Sequence, residues 1–154
     1  MSDHSKDEHF SKGFNTIQFV QTTLNQYPEI KSVCLTLKRL LSINDLNEPY
    51  TGGLSSIALF VIVLHCFNMF GRMSEEQLFE QVLYYIGCFD HQKLIITYFG
   101  TLERTSNDGS VFHIEHPLDS TINVSKGSFR MQEIQDLFLR THDNLTKGKS
   151  LNLT

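Results

Sequence analysis

Residues Ile57 to Phe70 constrain this chain more than any others, because they are apolar on nearly every side. A helix without a polar face cannot lie on a surface, so this one must run through the centre of the fold. The run is too short to span a bilayer and carries His65 and Asn68. Ser55 and Ser56 stand in front of it, where residues that cap a helix start belong. Before them comes Asp45-Leu46-Asn47-Glu48-Pro49-Tyr50-Thr51-Gly52-Gly53-Leu54, with the composition of a tightly specified turn. Pro49 fixes one φ angle, and the Gly52-Gly53 pair lets backbone pass where a Cβ would not fit. Amides and hydroxyls collected at a helix start form a natural site for an anion such as a phosphate. An ordinary connection between two helices would use the same residues.

The rest of the pattern wraps round that helix. Asn15-Thr16 read as the capped start of a first helix carrying Ile17, Val20 and Leu24 on one stripe, ended by Tyr27-Pro28. A second begins at Glu29 and places Val33, Leu37, Leu40 and Leu41 on one face, with Lys31 and Lys38 together on another. Ser74-Glu75-Glu76-Gln77 has the form of a capping box and opens a fourth helix through Leu78, Val82, Leu83 and Ile86. Leu94 to Phe99 reads as a strand, Asn107-Asp108-Gly109 as a turn, and Val111 to Ile114 as the return strand. Met131, Ile134, Phe138 and Leu145 mark a last amphipathic helix. The expected fold is mainly α with a small β-hairpin. Residues 1–13 are expected to be disordered, 14–145 to form one helical domain, and 146–154 to be a polar, frayed tail.

At 154 residues the chain is one domain on length alone. Its net charge of −4 provides no global basic field to draw it to nucleic acid, so any RNA contact must be local or supplied by a partner. Cys34, Cys66 and Cys88 all fall in apolar helical patterns and read as buried, reduced thiols, which suits the cytosol or nucleus. The N-terminus is polar and is not a signal peptide. Lys126, Arg130 and Arg140 could touch phosphates, but Glu133, Asp136 and Asp143 are interleaved with them, as on a mixed solvated face. His113-Ile114-Glu115-His116 suggests a metal or deaminase site only superficially. On a strand the two histidines point to opposite faces, and the Pro-Cys-x-x-Cys that deaminases need is absent.

The turn DLNEPYTGGLSS, with LKRLL before it and ALF after it, resembles the signature of the central, PAP-associated domain of template-independent poly(A) RNA polymerases. The similarity is to the nuclear type of TRAMP complexes, related to the poly(U) polymerases. A second block agrees in the right order: Ile114-Glu115-His116-Pro117-Leu118-Asp119, then Asn123-Val124, then the helix from Met131. Together the blocks cover nearly the whole chain.

The resemblance implies a helical domain packed beside a separate nucleotidyltransferase domain, closing a nucleotide cleft between them. In the family, two metal ions on three carboxylates activate the RNA 3′-hydroxyl and stabilise the leaving pyrophosphate. No such acidic arrangement stands in this sequence, so this chain alone is not expected to be catalytic, nor to bind a cofactor by itself. ATP with Mg2+ would be held by the catalytic domain. By resemblance, Asn15 and Thr16 meet ribose and phosphate, Lys38 meets the triphosphate, and Ser55 and Ser56 lie near the phosphates. His116 and Asp119 of the second block line the same cleft. Three departures weaken it. Ile57 replaces the aromatic on which the base stacks, His116 an acidic residue, and Ile122 a residue that reads the base edge.

Two readings follow. One is the central domain of an enzyme that adds adenylates from ATP to RNA 3′ ends for surveillance and decay, in the nucleus or alternatively the cytoplasm. The other is a catalytically dead scaffold, a binding module of an RNA-decay complex. An unrelated helical adaptor would make both blocks coincidence. The implied partners are a catalytic domain on the same or a separate chain, an RNA 3′ end, a zinc-knuckle RNA-binding protein and a helicase.

Overall fold

A computed structural model describes the backbone of residues 4–153 and the side chains of residues 13–153. Five helices are present among them: α1 (His4–Gln26), α2 (Pro28–Ile43), α3 (Ser56–Phe70), α4 (Glu75–Gly87) and α5 (Met131–Thr146). Two antiparallel ladders lie between α4 and α5. One pairs β1 (Leu94–Ile96) with β2 (Thr101–Glu103), the other β3 (Glu115–His116) with β4 (Asp119–Asn123).

The apolar helix is central, as its composition demands. Every residue of α3 from Ala58 to Phe67 is buried. α2 and α4 pack along it, and β1 and β3 cover it from another side. α1 joins through Phe19, whose ring meets that of Phe60 edge-on at 6.1 Å. The helix starts follow the expected chemistry. Ser55 caps α3 by accepting the Ala58 N–H at 3.2 Å, and Ser74 and Gln77 form a complete capping box on α4. Pro28 opens α2, where its missing N–H costs nothing. The end of α4 is closed from α5, where the buried Gln135 donates to the carbonyls of Ile86 and Phe89, both at 3.1 Å.

Three expectations are corrected here. First, α1 begins at His4, so Asn15 and Thr16 lie inside the helix and cap nothing. Second, β1 returns through Thr101–Glu103 and not through Val111–Ile114. The Thr97 hydroxyl donates to the Gly100 carbonyl at 2.8 Å and accepts the Gly100 N–H at 2.9 Å, closing a turn that no Gly-Asn signal announces. Val111–Ile114 instead passes beside β1, meeting it in a parallel bridge from Ile114 to Ile96. The Asn107-Asp108-Gly109 turn does form, with Gly109 at φ +88°, but it belongs to a loop gathered on Arg104. That guanidinium donates to the carbonyls of His91, Ser110 and Val111. Third, Cys88 is exposed at the end of α4, whereas Cys66 is buried and Cys34 half-buried. Beyond α5, Leu151 and Leu153 lie on the core, and Arg39 donates to the Leu153 carbonyl at 3.2 Å.

His65 is the buried polar group of α3. Its Nδ1 lies 2.7 Å from the Thr97 carbonyl, which can only accept, so Nδ1 carries the proton and Nε2 accepts from the Tyr85 hydroxyl at 3.0 Å. Burial pulls the His65 pKa below its ordinary value and pushes Tyr85 up to about 12. The neutral imidazole thus ties α3 and α4 to the turn between β1 and β2. Among the described residues no single helix is long and apolar enough to cross a membrane.

Candidate functional site

The loop between α2 and α3 is fixed at both ends by backbone. Leu46 N–H reaches the Leu41 carbonyl at 2.9 Å, and Leu54 N–H reaches the Leu46 carbonyl at 2.8 Å. Gly53 lies so close beneath that a Cβ there would stand 2.4 Å from the Leu46 carbonyl oxygen. Gly52, at φ +86°, faces the Phe129 ring, which a Cβ would meet at 2.5 Å. Both glycines do what the sequence required of them. The loop is also clamped from the chain ahead of α5. Arg130 N–H donates to the Gly52 carbonyl at 3.0 Å, and its Nη1 donates to the Asp45 carbonyl at 3.1 Å.

That clamp sets the start of α3. The Ser55 hydroxyl accepts from Ala58 and donates to the Val124 carbonyl at 3.4 Å, which joins the helix start to the end of β4. Its hydrogen-bonding capacity is spent on structure. Ser56 is exposed at the first helical position, beside the N–H groups that a helix start leaves unpaired. Ile57 packs half-buried against the core.

Thr16 and His116, far apart in sequence, meet across α1 and β3, with Thr16 Oγ1 3.3 Å from His116 Nε2. His116 Nδ1 accepts the Leu118 N–H at 3.0 Å, so Nε2 carries the proton and donates to Thr16. Asp119 is the cross-strand partner of His116, and its Oδ1 accepts the Thr121 N–H at 3.0 Å. Thr16, His116 and Asp119 therefore form one group, with the exposed Asn15 next along α1. Lys38 is exposed on α2 and has no ion pair among the described residues. Among the described residues, no hydrogen bond or ion pair joins it to Thr16, His116 or Asp119.

Sequence reasoning missed the cleft beside this group. About 410 Å³ opens between the turn Thr97–Phe99 and the segment Glu115–Ser120, with Phe99, Leu118, His116 and Asp119 on its walls. The available signal was Tyr98-Phe99-Gly100, two rings in front of a turn glycine. Of the basic residues near α5, Arg130 is paired with Glu133 while Lys126 and Arg140 are exposed, which is the mixed face that charge interleaving implied. Among the described residues, no three or more His, Cys, Asp or Glu side chains are grouped to hold a metal ion.

This mainly α architecture with two small antiparallel ladders is similar in fold to parts of solved structures. It matches the polymerase core of TRAMP, an RNA surveillance complex, with a TM-score of 0.73 at 20% identity, over 86% of this chain and 47% of that one. It matches the RNA terminal uridylyl transferase Cid1 with a TM-score of 0.73 at 15% identity, over 91% and 58%. In sequence the chain is 27% identical to poly(A) RNA polymerase cid14 of Schizosaccharomyces pombe, over 87% of this chain and 22% of that protein. It is 26% identical to the inactive non-canonical poly(A) RNA polymerase protein Trf4-2 of Drosophila melanogaster, over 89% and 39%. No family model matches the chain. The relatives are thus poly(A) RNA polymerases, as the two sequence blocks implied, and the chain spans well under half the length of those two.

Proposed function

We propose that this chain is the central domain of a poly(A) RNA polymerase, working against a nucleotidyltransferase domain on the same protein or a separate subunit. The observation that carries this reading is the signature loop. Its two glycines, Ser55 and Arg130 hold the start of α3 against the end of β4 in one rigid arrangement. Such a frame presents Ser56 and the first amides of α3 to an anion. Lys38, which has no ion pair among the described residues of the chain, supplies a mobile point charge for a triphosphate. Asn15 and Thr16 would take ribose and phosphate, with His116 and Asp119 on the other side of the cleft. Residues 14–145 form the working unit in this reading. ATP and Mg2+ would be held mainly by the catalytic domain, and the product would be an adenylated RNA 3′ end destined for decay. A zinc-knuckle protein and a helicase are the partners, and the nucleus is the compartment.

The test isolates the endogenous protein with an antibody to this chain and assays it on an RNA primer with ATP and Mg2+. Adenylate addition that Lys38→Ala reduces about tenfold, chiefly through KM, is expected. A protein that adds no nucleotide of any kind overturns the enzymatic reading and leaves the scaffold. That second reading is favoured by the apolar Ile57 and by Ile122, which is 39% exposed on β4 and offers a base no hydrogen bond. The relative Trf4-2, itself described as inactive, points the same way.

A further inference from the structure

We infer that the groove at the far end of α3 docks an arginine side chain presented by a partner protein. The groove, of about 570 Å³, opens between Phe70 at the end of α3, Met73 just before α4, Tyr84 on α4 and His142 on α5. Ser56 and Phe70 are the two ends of α3, about 21 Å apart at the rise of an α-helix. This surface is therefore separate from the signature loop and owes nothing to the nucleotide reading.

Its aromatic wall is exposed yet held. Tyr84 is 54% exposed, and its ring lies 5.1 Å from that of His142 across the seam between α4 and α5. Phe70 is 42% exposed and is braced edge-on by Tyr85 at 5.0 Å. The start of α4 is fixed as well, by its capping box and by Ser32 of α2, which donates to Glu75 at 2.8 Å. Rings that are held by contacts of their own lose little freedom when a partner covers them.

The charges decide what those rings receive. Gln77, Glu80, Gln81 and Tyr84 recur three or four residues apart along one face of α4 and line the groove. Glu80 is exposed and has no ion pair among the described residues. Arg72, the one lysine or arginine on the wall, is engaged elsewhere. Its Nε pairs with Glu29 at 3.0 Å, and its guanidinium lies over the Tyr27 ring at 5.7 Å. The groove is left with an uncompensated carboxylate, amide carbonyls that accept, and rings whose faces attract cations. A phosphate would meet Glu80 as a like charge. A lysine would meet it as a point charge only. A planar guanidinium can offer the carboxylate two N–H groups and stack on a ring at the same time, so arginine is the better match. Phe70 and Met73 supply apolar surface for the methylene stem of that side chain.

The test titrates the whole isotope-labelled chain with the peptide Ac-Ala-Leu-Arg-Leu-Ala-amide, and with the same peptide carrying citrulline, the neutral analogue of arginine. The arginine peptide should shift the Tyr84 and His142 ring signals and bind about tenfold more tightly than the citrulline peptide. Glu80→Gln should remove most of that preference. Tyr84→Ala should weaken the arginine peptide by about the same factor, whereas Tyr84→Phe, which keeps the ring, should not. Glu80 and Tyr84 are both exposed, so these variants keep the fold, which the unchanged remainder of the spectrum checks. Equal binding of the two peptides, a preference that survives Glu80→Gln, or no shift with either peptide at millimolar concentration overturns the proposal. A shift of the Tyr84 and His142 signals on concentrating the chain alone also overturns it, by giving the groove to a second copy. The same signals moved by an oligoadenylate would give it to RNA and overturn it too. None of these readouts depends on whether the chain serves a polymerase.

Discussion

At the scale of the residue, Gly53 of the signature loop differs in kind from the other glycines described. Gly53 has backbone on the far side of its missing Cβ, and backbone cannot step aside as a flexible side chain can. Gly53→Ala should therefore destabilise by about 1–3 kcal/mol, the usual cost of overpacking, read from the urea midpoint. Gly71 is the control. It has φ +86°, as Gly52 has and Gly53 has not, but nothing lies within 4 Å of its Cβ position, so Gly71→Ala should cost only the left-handed strain of about 1–2 kcal/mol. A Gly53→Ala protein no less stable than Gly71→Ala would remove steric approach as the reason for the pair. The need for both glycines was legible in the sequence, because a Gly-Gly after Pro in a short interhelical turn has few other uses. What they approach was not: Leu46 is local, but Phe129 is distant and comes near only through tertiary packing.

At the scale of the element, the turn between β1 and β2 depends on the protonation of His65. The sign is set by burial. The folded pKa lies below the ordinary value of 6.5, so the unfolded chain binds the proton more readily. Stability is then fully present above about pH 6.5 and falls as pH drops toward the folded pKa. Chemical unfolding across pH 7.5 to 5 should show this loss, and His65→Gln should flatten it while lowering stability at neutral pH. An unchanged slope in the variant would assign the loss to other groups. This element also marks where pattern reading fails. The four interior helix faces follow from spacing, since 3.6-residue periodicity is a local property. The strand partner of Leu94–Ile96 does not, because Thr97 closes its turn with a side chain and the stronger Asn-Asp-Gly signal downstream is used by a loop wound on Arg104. The meeting of Thr16 with His116 was reachable only through family resemblance, since nothing in either segment names the other. The segment after α5 is polar in composition, yet Leu151 and Leu153 within it pack on the core. Deleting residues 151–154 should lower stability by about 2–4 kcal/mol for two partly buried leucines, measured by the same unfolding curves.

At the scale of the whole molecule, the three thiols report how the fold opens. Cys88 is exposed, whereas burial pushes Cys34 up to about 12 and Cys66 higher still. A thiol reagent at neutral pH should modify one cysteine quickly, with the other two waiting on unfolding. Two fast thiols would mean that α2 or α3 opens without the rest. The same central burial of α3 has a consequence for synthesis. Its sheath comes partly from β1 and β3, and its first turn is tied to Val124, all of which follow it along the chain. At about 5–20 residues per second, a ribosome leaves the stickiest helix of the protein waiting several seconds for its last cover. Nascent chains stalled near residue 90 should therefore engage chaperones that chains released after α5 no longer need.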